Sequence, residues 1–185
     1  MTTANKITLA RMMLIPIFMY SAISEGAQGN FVALALFAIA SLTDGIDGYI
    51  ARKYNQITDF GKLVDPLADK LLVMSALLIL LEQGILSSWA CIIILAREFV
   101  VSSLRSIAAS KGVVLAAAFW GKLKTLSQLV CIMYLLSGVS DVVLYGSLTL
   151  KKLSIWVMVF FTVFSGYDYL KRNFYLIKDG VSKGE

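Results

Sequence analysis

The sequence predicts an all-α fold, a polytopic membrane protein built as a single bundle of six transmembrane helices, with one domain over residues 1–185. Three observations predict it. Apolar residues make up 58% of the 185 positions and charged residues only 16%, where soluble domains average about 45–50% and about 25%. Residues 12–24, 26–43, 71–81, 83–96, 125–140 and 153–167 contain no Asp, Glu, Lys or Arg. Glycine and polar clusters punctuate the intervals between these runs. A span needs about 20 mostly apolar residues, so six of them fill the chain and leave no room for a separate soluble domain.

The first helix is expected over 6–24. Lys6 and Arg11 precede its apolar run as in a signal peptide, but Pro16 breaks the run and more spans follow, so the helix is read as retained. Ser24-Glu25-Gly26 and Gln28-Gly29-Asn30 close it and open the second helix, 30–53. The short connection 54–58 makes the second helix and the third, 59–81, antiparallel neighbours. Glu82-Gln83-Gly84 separates the third from the fourth, 85–110; the fifth covers 119–138, and the stretch from Gly138 to Gly146 leads into the sixth, 149–172. The tail after Arg172 is polar and basic, as expected of a segment in solvent or on a lipid surface.

Basic residues stay on the cytoplasmic side of a membrane. With the N-terminus cytoplasmic, the outward connections carry Glu25, Glu82 and Asp141, while the inward side collects Lys6, Arg11, Arg52, Lys53, Lys62, Lys70, Arg105, Lys111, Lys122, Lys124, Lys171, Arg172, Lys178 and Lys183. Both termini and any polar site are thus expected on the cytoplasmic face of a plasma membrane. Lys151 and Lys152 run against the pattern and are expected to snorkel to the interface. The net charge of +5 and a pI near 9.2 need no nucleic acid, because a basic face beside anionic lipid accounts for them.

Histidine is absent, which removes imidazole as base, nucleophile or metal ligand. The two cysteines, Cys91 and Cys131, are single and lie inside apolar runs, so they read as core thiols. Trp89, Trp120 and Trp156 read as interface anchors.

Against this apolar background stand Asp44, Asp47, Asp65 and Asp69, on the second and third helices. An acidic residue at mid-helix costs about 2.5–3.5 kcal/mol to insert, so these carboxylates must meet cations, water or both. Asp44 and Asp47 are three apart and Asp65 and Asp69 four apart, which puts each pair on one helical face. Two pairs on antiparallel neighbours can converge. An all-oxygen set without His or Cys favours hard divalent ions, Mg²⁺ or Mn²⁺, one or two of them. The competing reading pairs the acids with Arg52, Lys62 and Lys70 as helix-end ion pairs. Gly45, Gly48 and Gly61 let a backbone or ligand approach closely or serve helix packing, and Pro66 frees the carbonyl of Lys62.

The pattern Asp44-x2-Asp47-Gly48-x2-Ala51-Arg52, eight residues, then Gly61-x3-Asp65-x3-Asp69 resembles the signature of the CDP-alcohol phosphotransferases, with every fixed position present. Further stretches narrow the likeness to members that use sn-glycerol 3-phosphate: Asn5 to Arg11 before Pro16, Arg97-Glu98-Phe99 with Ser102 and Leu104-Arg105, and Gly121-Lys122-Leu123-Lys124-Thr125. The resemblance implies transfer of a phosphatidyl group from CDP-diacylglycerol to sn-glycerol 3-phosphate with release of CMP. It also implies metal ligands at Asp44, Asp47, Asp65 and Asp69, a general base at Asp69, contacts to the CDP moiety at Gly48, Arg52 and Gly61, and a homodimer. An acceptor that is itself a phosphate ester needs a second anion site, for which Arg105, Lys111, Lys122 and Lys124 are the candidates. Arg97 and Glu98 read as internal polar glue or, for Arg97, as part of a site. Two other readings remain: the same chemistry on inositol, inositol phosphate or serine, and a cation transporter or channel, which Arg52 beside the acids opposes.

Overall fold

The computed structural model describes residues 3–24, 31–53, 59–113, 115, 119–139 and 141–181; side chains of residues 3–6, 44–53, 59, 60, 62, 63 and 175–181 are not among those described. Six helices follow one another: α1 Thr3–Ser24, α2 Phe31–Lys53, α3 Asp59–Glu82, α4 Ser88–Ser110, α5 Phe119–Leu136 and α6 Leu150–Val181. Each expected helix is present. The purely helical reading is corrected between α5 and α6, where β1 Val143–Tyr145 and β2 Leu148–Thr149 pair antiparallel. Val142, Val143, Tyr145 and Thr149 favour extended backbone, and Gly146 at φ +55° makes the tight turn that only a residue without Cβ enters cheaply.

As expected of one retained helix over 6–24, α1 runs unbroken through Pro16 from Thr3 to Ser24, and α3 likewise continues through Pro66. Membrane helices tolerate proline because neighbouring groups re-satisfy the carbonyl it frees. Helix ends obey local chemistry. At the end of α3, Gly84 at φ +69° lets the N–H groups of Ile85 and Leu86 return to the carbonyl of Leu80, at 2.9 and 3.0 Å. Ser87 then caps α4 by accepting from the Ala90 N–H at 3.2 Å.

By length and composition, two helices among the described residues can cross a bilayer, Ile7–Ser24 and Leu150–Phe174, with Phe31–Thr43 a shorter apolar helix. The other helices carry charge within them: Asp65, Asp69 and Lys70 in α3, Arg97, Glu98 and Arg105 in α4, Lys122 and Lys124 in α5.

The chain folds into two compact units, Met1–Leu86 with Ile132–Ser140, and Ser87–Cys131 with Asp141–Glu185. In the first, α1 packs on both α2 and α3. Ala22, Ala33, Ala40, Ala68 and Ala76 are buried there; small side chains let helices approach where no hydrophobic force separates protein from lipid. Phe18 and Phe37 fill the remaining space between α1 and α2, ring centroids 5.7 Å apart. In the second unit α4 packs along α6, with Val101, Leu104 and Tyr169 forming a buried cluster. Cys91 and Cys131 are buried thiols, as expected. Trp89 and Trp156 are exposed, as anchors must be; Trp120 is instead half-buried, edge-on to Phe164 at 4.6 Å. Its indole serves packing between α5 and α6.

The sixth helix runs further than the apolar pattern indicates, to Val181, with a kink at Asn173 (φ −113°, ψ 16°). The Asn173 side chain donates to the carbonyl of Tyr169 at 2.8 Å, the local competition with the helix ladder that bends such helices. At the other end, Asp141 accepts from the Lys151 N–H at 3.1 Å and the Lys152 ammonium donates to the Ser147 carbonyl at 2.9 Å. Lys152 thus ties the hairpin to the helix start.

Candidate active site

The first unit carries the aspartates. Asp44 and Asp47, with Gly48 and Arg52, belong to the C-terminal half of α2; their side chains lie outside the described ones. On α3, Gly61 is buried and Asp65 and Asp69 are half-buried, in a row with one helical turn between successive members. The Asp65 carboxylate accepts a hydrogen bond from the Thr8 hydroxyl at 2.6 Å, across 57 positions of sequence. A neutral donor satisfies one oxygen without cancelling the charge. Thr8 and Arg11 are each 1% exposed and three apart, so α1 presents a polar face to the interior of its unit. Sequence reasoning did not single out Thr8 as a partner of Asp65. The signal was present: a threonine and an arginine at helical spacing ahead of an apolar run.

A divalent ion is the group the donor set invites. Asp65 and Asp69 are half-buried carboxylates of α3, and a hard cation takes such oxygens. Cys91 and Cys131 belong to other helices and are buried. Among the described residues no three His, Cys, Asp or Glu side chains converge, two of the four aspartates being outside them. The donors that are described fit a hard divalent ion.

The second unit carries the cations. Arg105 is exposed, its guanidinium 5.6 Å from the centre of the Tyr169 ring and its Nε donating to the Tyr169 hydroxyl at 3.4 Å. Lys111 caps the end of α4 and is exposed, as is Lys122. Lys124 differs. It is buried and its ammonium donates to Glu98, which also accepts from Arg97 at 3.0 Å. Lys122 and Lys124, two apart, lie on different sides of α5, as 3.6 residues per turn requires.

With this geometry in view, the comparisons carry weight. The family model described as CDP-alcohol phosphatidyltransferase matches residues 1–164. A Bacillus subtilis (strain 168) protein named CDP-diacylglycerol--glycerol-3-phosphate 3-phosphatidyltransferase is 44% identical over 94% of this chain and 96% of its own length. A Rickettsia felis protein of the same name is 36% identical over 90% and 92%. A Mycobacterium tuberculosis protein named probable phosphatidylglycerophosphate synthase is 38% identical over 91% and 80%. Helices, signature and relatives agree over nearly the whole chain, and the protein belongs to the CDP-alcohol phosphatidyltransferase family.

Proposed function

We propose that this chain transfers the phosphatidyl group of CDP-diacylglycerol to sn-glycerol 3-phosphate, giving phosphatidylglycerophosphate and CMP. The observation that carries the reading is the likeness, over nearly the full length, to relatives that bear this activity in their names. Asp44, Asp47, Asp65 and Asp69 would hold Mg²⁺ or Mn²⁺, one or two ions, which when bound offset the charge of the donor's pyrophosphate. Asp69 accepts the proton of the attacking hydroxyl, a role open to a half-buried carboxylate. Arg52 grips the leaving phosphate through its planar fork, and Gly48 and Gly61 leave room for the nucleotide. Arg105, Lys111, Lys122 and Lys124 supply positive charge for the acceptor's phosphate. In this reading the whole chain, 1–185, is one catalytic domain of six membrane spans, with both termini and the site on the cytoplasmic side of a bacterial plasma membrane, working as a homodimer.

The test is CMP release by purified protein from CDP-diacylglycerol across a panel of alcohols. Release is expected with sn-glycerol 3-phosphate and not with serine, inositol or inositol phosphate, and a chelator should stop it. Activity with serine but none with glycerol phosphate overturns the acceptor assignment. Asp69→Asn keeps size and removes the base, so turnover should fall by about a thousandfold while the protein still inserts and folds.

A further inference from the structure

The hairpin ahead of α6 has a surface that water alone does not account for. Every residue from Asp141 to Leu148 is exposed, and the large apolar ones among them are Val142, Val143, Leu144, Tyr145 and Leu148, with Val143 at 65% and Tyr145 at 86%. Successive strand residues point to opposite faces, so the exposure of Val143, Leu144 and Tyr145 in a row leaves both faces of β1 apolar and uncovered. A two-stranded hairpin standing alone in water is marginal. This one hides little of its apolar surface, so burial within the protein contributes little to holding it.

Its position is set by α6. The Leu150 N–H donates to the Val142 carbonyl at 2.9 Å, the Lys151 N–H to Asp141 at 3.1 Å, and the Lys152 ammonium to the Ser147 carbonyl at 2.9 Å. Hairpin and first helical turn are thereby one piece. The helix that begins here, Leu150–Phe174, is long and apolar enough to cross a bilayer, so a start at the membrane surface carries the hairpin to that surface. Hydrocarbon does not suit it: β1 and β2 form a sheet of two strands, each with an outer edge of backbone groups that lipid tails leave unsatisfied. The headgroup layer meets both demands, wet enough for the strand edges and bordered by apolar chains for the side chains. Tyr145 and Trp156, both exposed, are of the aromatic types enriched in that layer, and Lys151 and Lys152 have stems long enough to reach it.

We propose that the hairpin is an interfacial anchor: Val143, Leu144, Tyr145 and Leu148 dock in the headgroup layer of the bilayer that α6 enters. This anchoring requires that α6 crosses the membrane, as proposed above, and does not depend on which alcohol is the acceptor.

The full chain carrying one nitroxide, reconstituted in vesicles of phosphatidylethanolamine and phosphatidylglycerol, reports the depth of each site. Collisions with oxygen, which concentrates in lipid, are compared with collisions with a nickel chelate, which stays in water. Cys91 and Cys131 are buried, and the parent chain treated alike gives the background. Val143→Cys carries the probe, Val163→Cys, exposed midway along α6, marks hydrocarbon, and the free label in buffer marks water. Nickel collisions at Val143→Cys should be about fivefold fewer than for the free label, yet more frequent than at Val163→Cys. Leu148→Cys, on β2, answers the same question if Val143→Cys does not fold. Tyr145→Asp added to Val143→Cys should raise the nickel collisions by about threefold, because a new charge weakens the hold on the interface. If Val163→Cys meets nickel as freely as Val143→Cys, α6 does not span and the anchor falls with the span. If Val163→Cys marks hydrocarbon while the hairpin labels meet nickel like the free label, the hairpin stands in water and the anchor alone is overturned. Hairpin labels shielded from nickel and oxygen alike are covered by protein, such as a second copy of the chain, which also overturns it.

Discussion

The carboxylates of the two units are satisfied in opposite ways. Glu98 on α4 sits between Arg97 and Lys124, so its charge is answered inside the protein. Asp65 on α3 takes its hydrogen bond from the neutral Thr8 hydroxyl, which fixes the oxygen and leaves the charge in place. Placing a carboxylate in an apolar surrounding costs energy in either case; two cations offset that cost at Glu98, and a neutral donor satisfies one oxygen at Asp65. The two carboxylates therefore differ in the kind of partner each has, two cations for Glu98 and a hydroxyl for Asp65.

The comparison can be broken most decisively at Glu98. Glu98→Ala leaves the buried Lys124 and the half-buried Arg97 without their shared acceptor, and the midpoint of denaturant unfolding in detergent should drop by the equivalent of about 3 kcal/mol. Asp65→Asn removes a charge that no cation of the protein answers among the described residues, so the same measurement should move far less while CMP release fails. Equal destabilisation by both would erase the distinction. A smaller effect is expected at Thr8. Thr8→Val keeps the shape and removes the donor, so Mn²⁺ binding read from the signal of the free ion should weaken by about tenfold, as for other groups that orient a metal ligand. Unchanged binding would reduce the Thr8 contact to packing.

The smallest effect lies outside both sites, at Asp141. Partial desolvation opposes its charge, but the Lys151 N–H, the Thr149 hydroxyl and the charges of Lys151 and Lys152 outweigh it and hold its carboxyl below the ordinary value of 3.8. A lowered folded value means that the unfolded chain binds the proton more readily. Its contribution is therefore full above about pH 4 and is lost as the pH falls through the folded value. Hydrogen-exchange protection of the hairpin should be lower in Asp141→Asn than in the parent at neutral pH, and the two should converge in acid.

Much of this was legible in the sequence. Charge-free runs and glycine punctuation locate all six helices, because apolar length and backbone freedom are local properties. The four aspartates stand out because a carboxylate costs energy in an apolar surrounding wherever it faces, and the side chains of two of them, Asp44 and Asp47, lie outside the described ones. The hairpin was harder to read: its few β-favouring residues are too short a run to distinguish from a loop, and pairing depends on the turn at Gly146. The Thr8–Asp65 bond and the Lys124–Glu98 ion pair were hidden for a different reason. Each is a contact between helices, and helical spacing says which residues share a face but not which face meets which.

The bond from Thr8 to Asp65 joins positions 57 apart, and a ribosome delivers them in order. The first helix is made before the acceptor for its hydroxyl has been synthesised, so the bond can close only after the third has emerged. A chain halted before α3 therefore lacks both Asp65 and the contact that orients it, and the order of synthesis makes this tie between α1 and α3 a late event in folding.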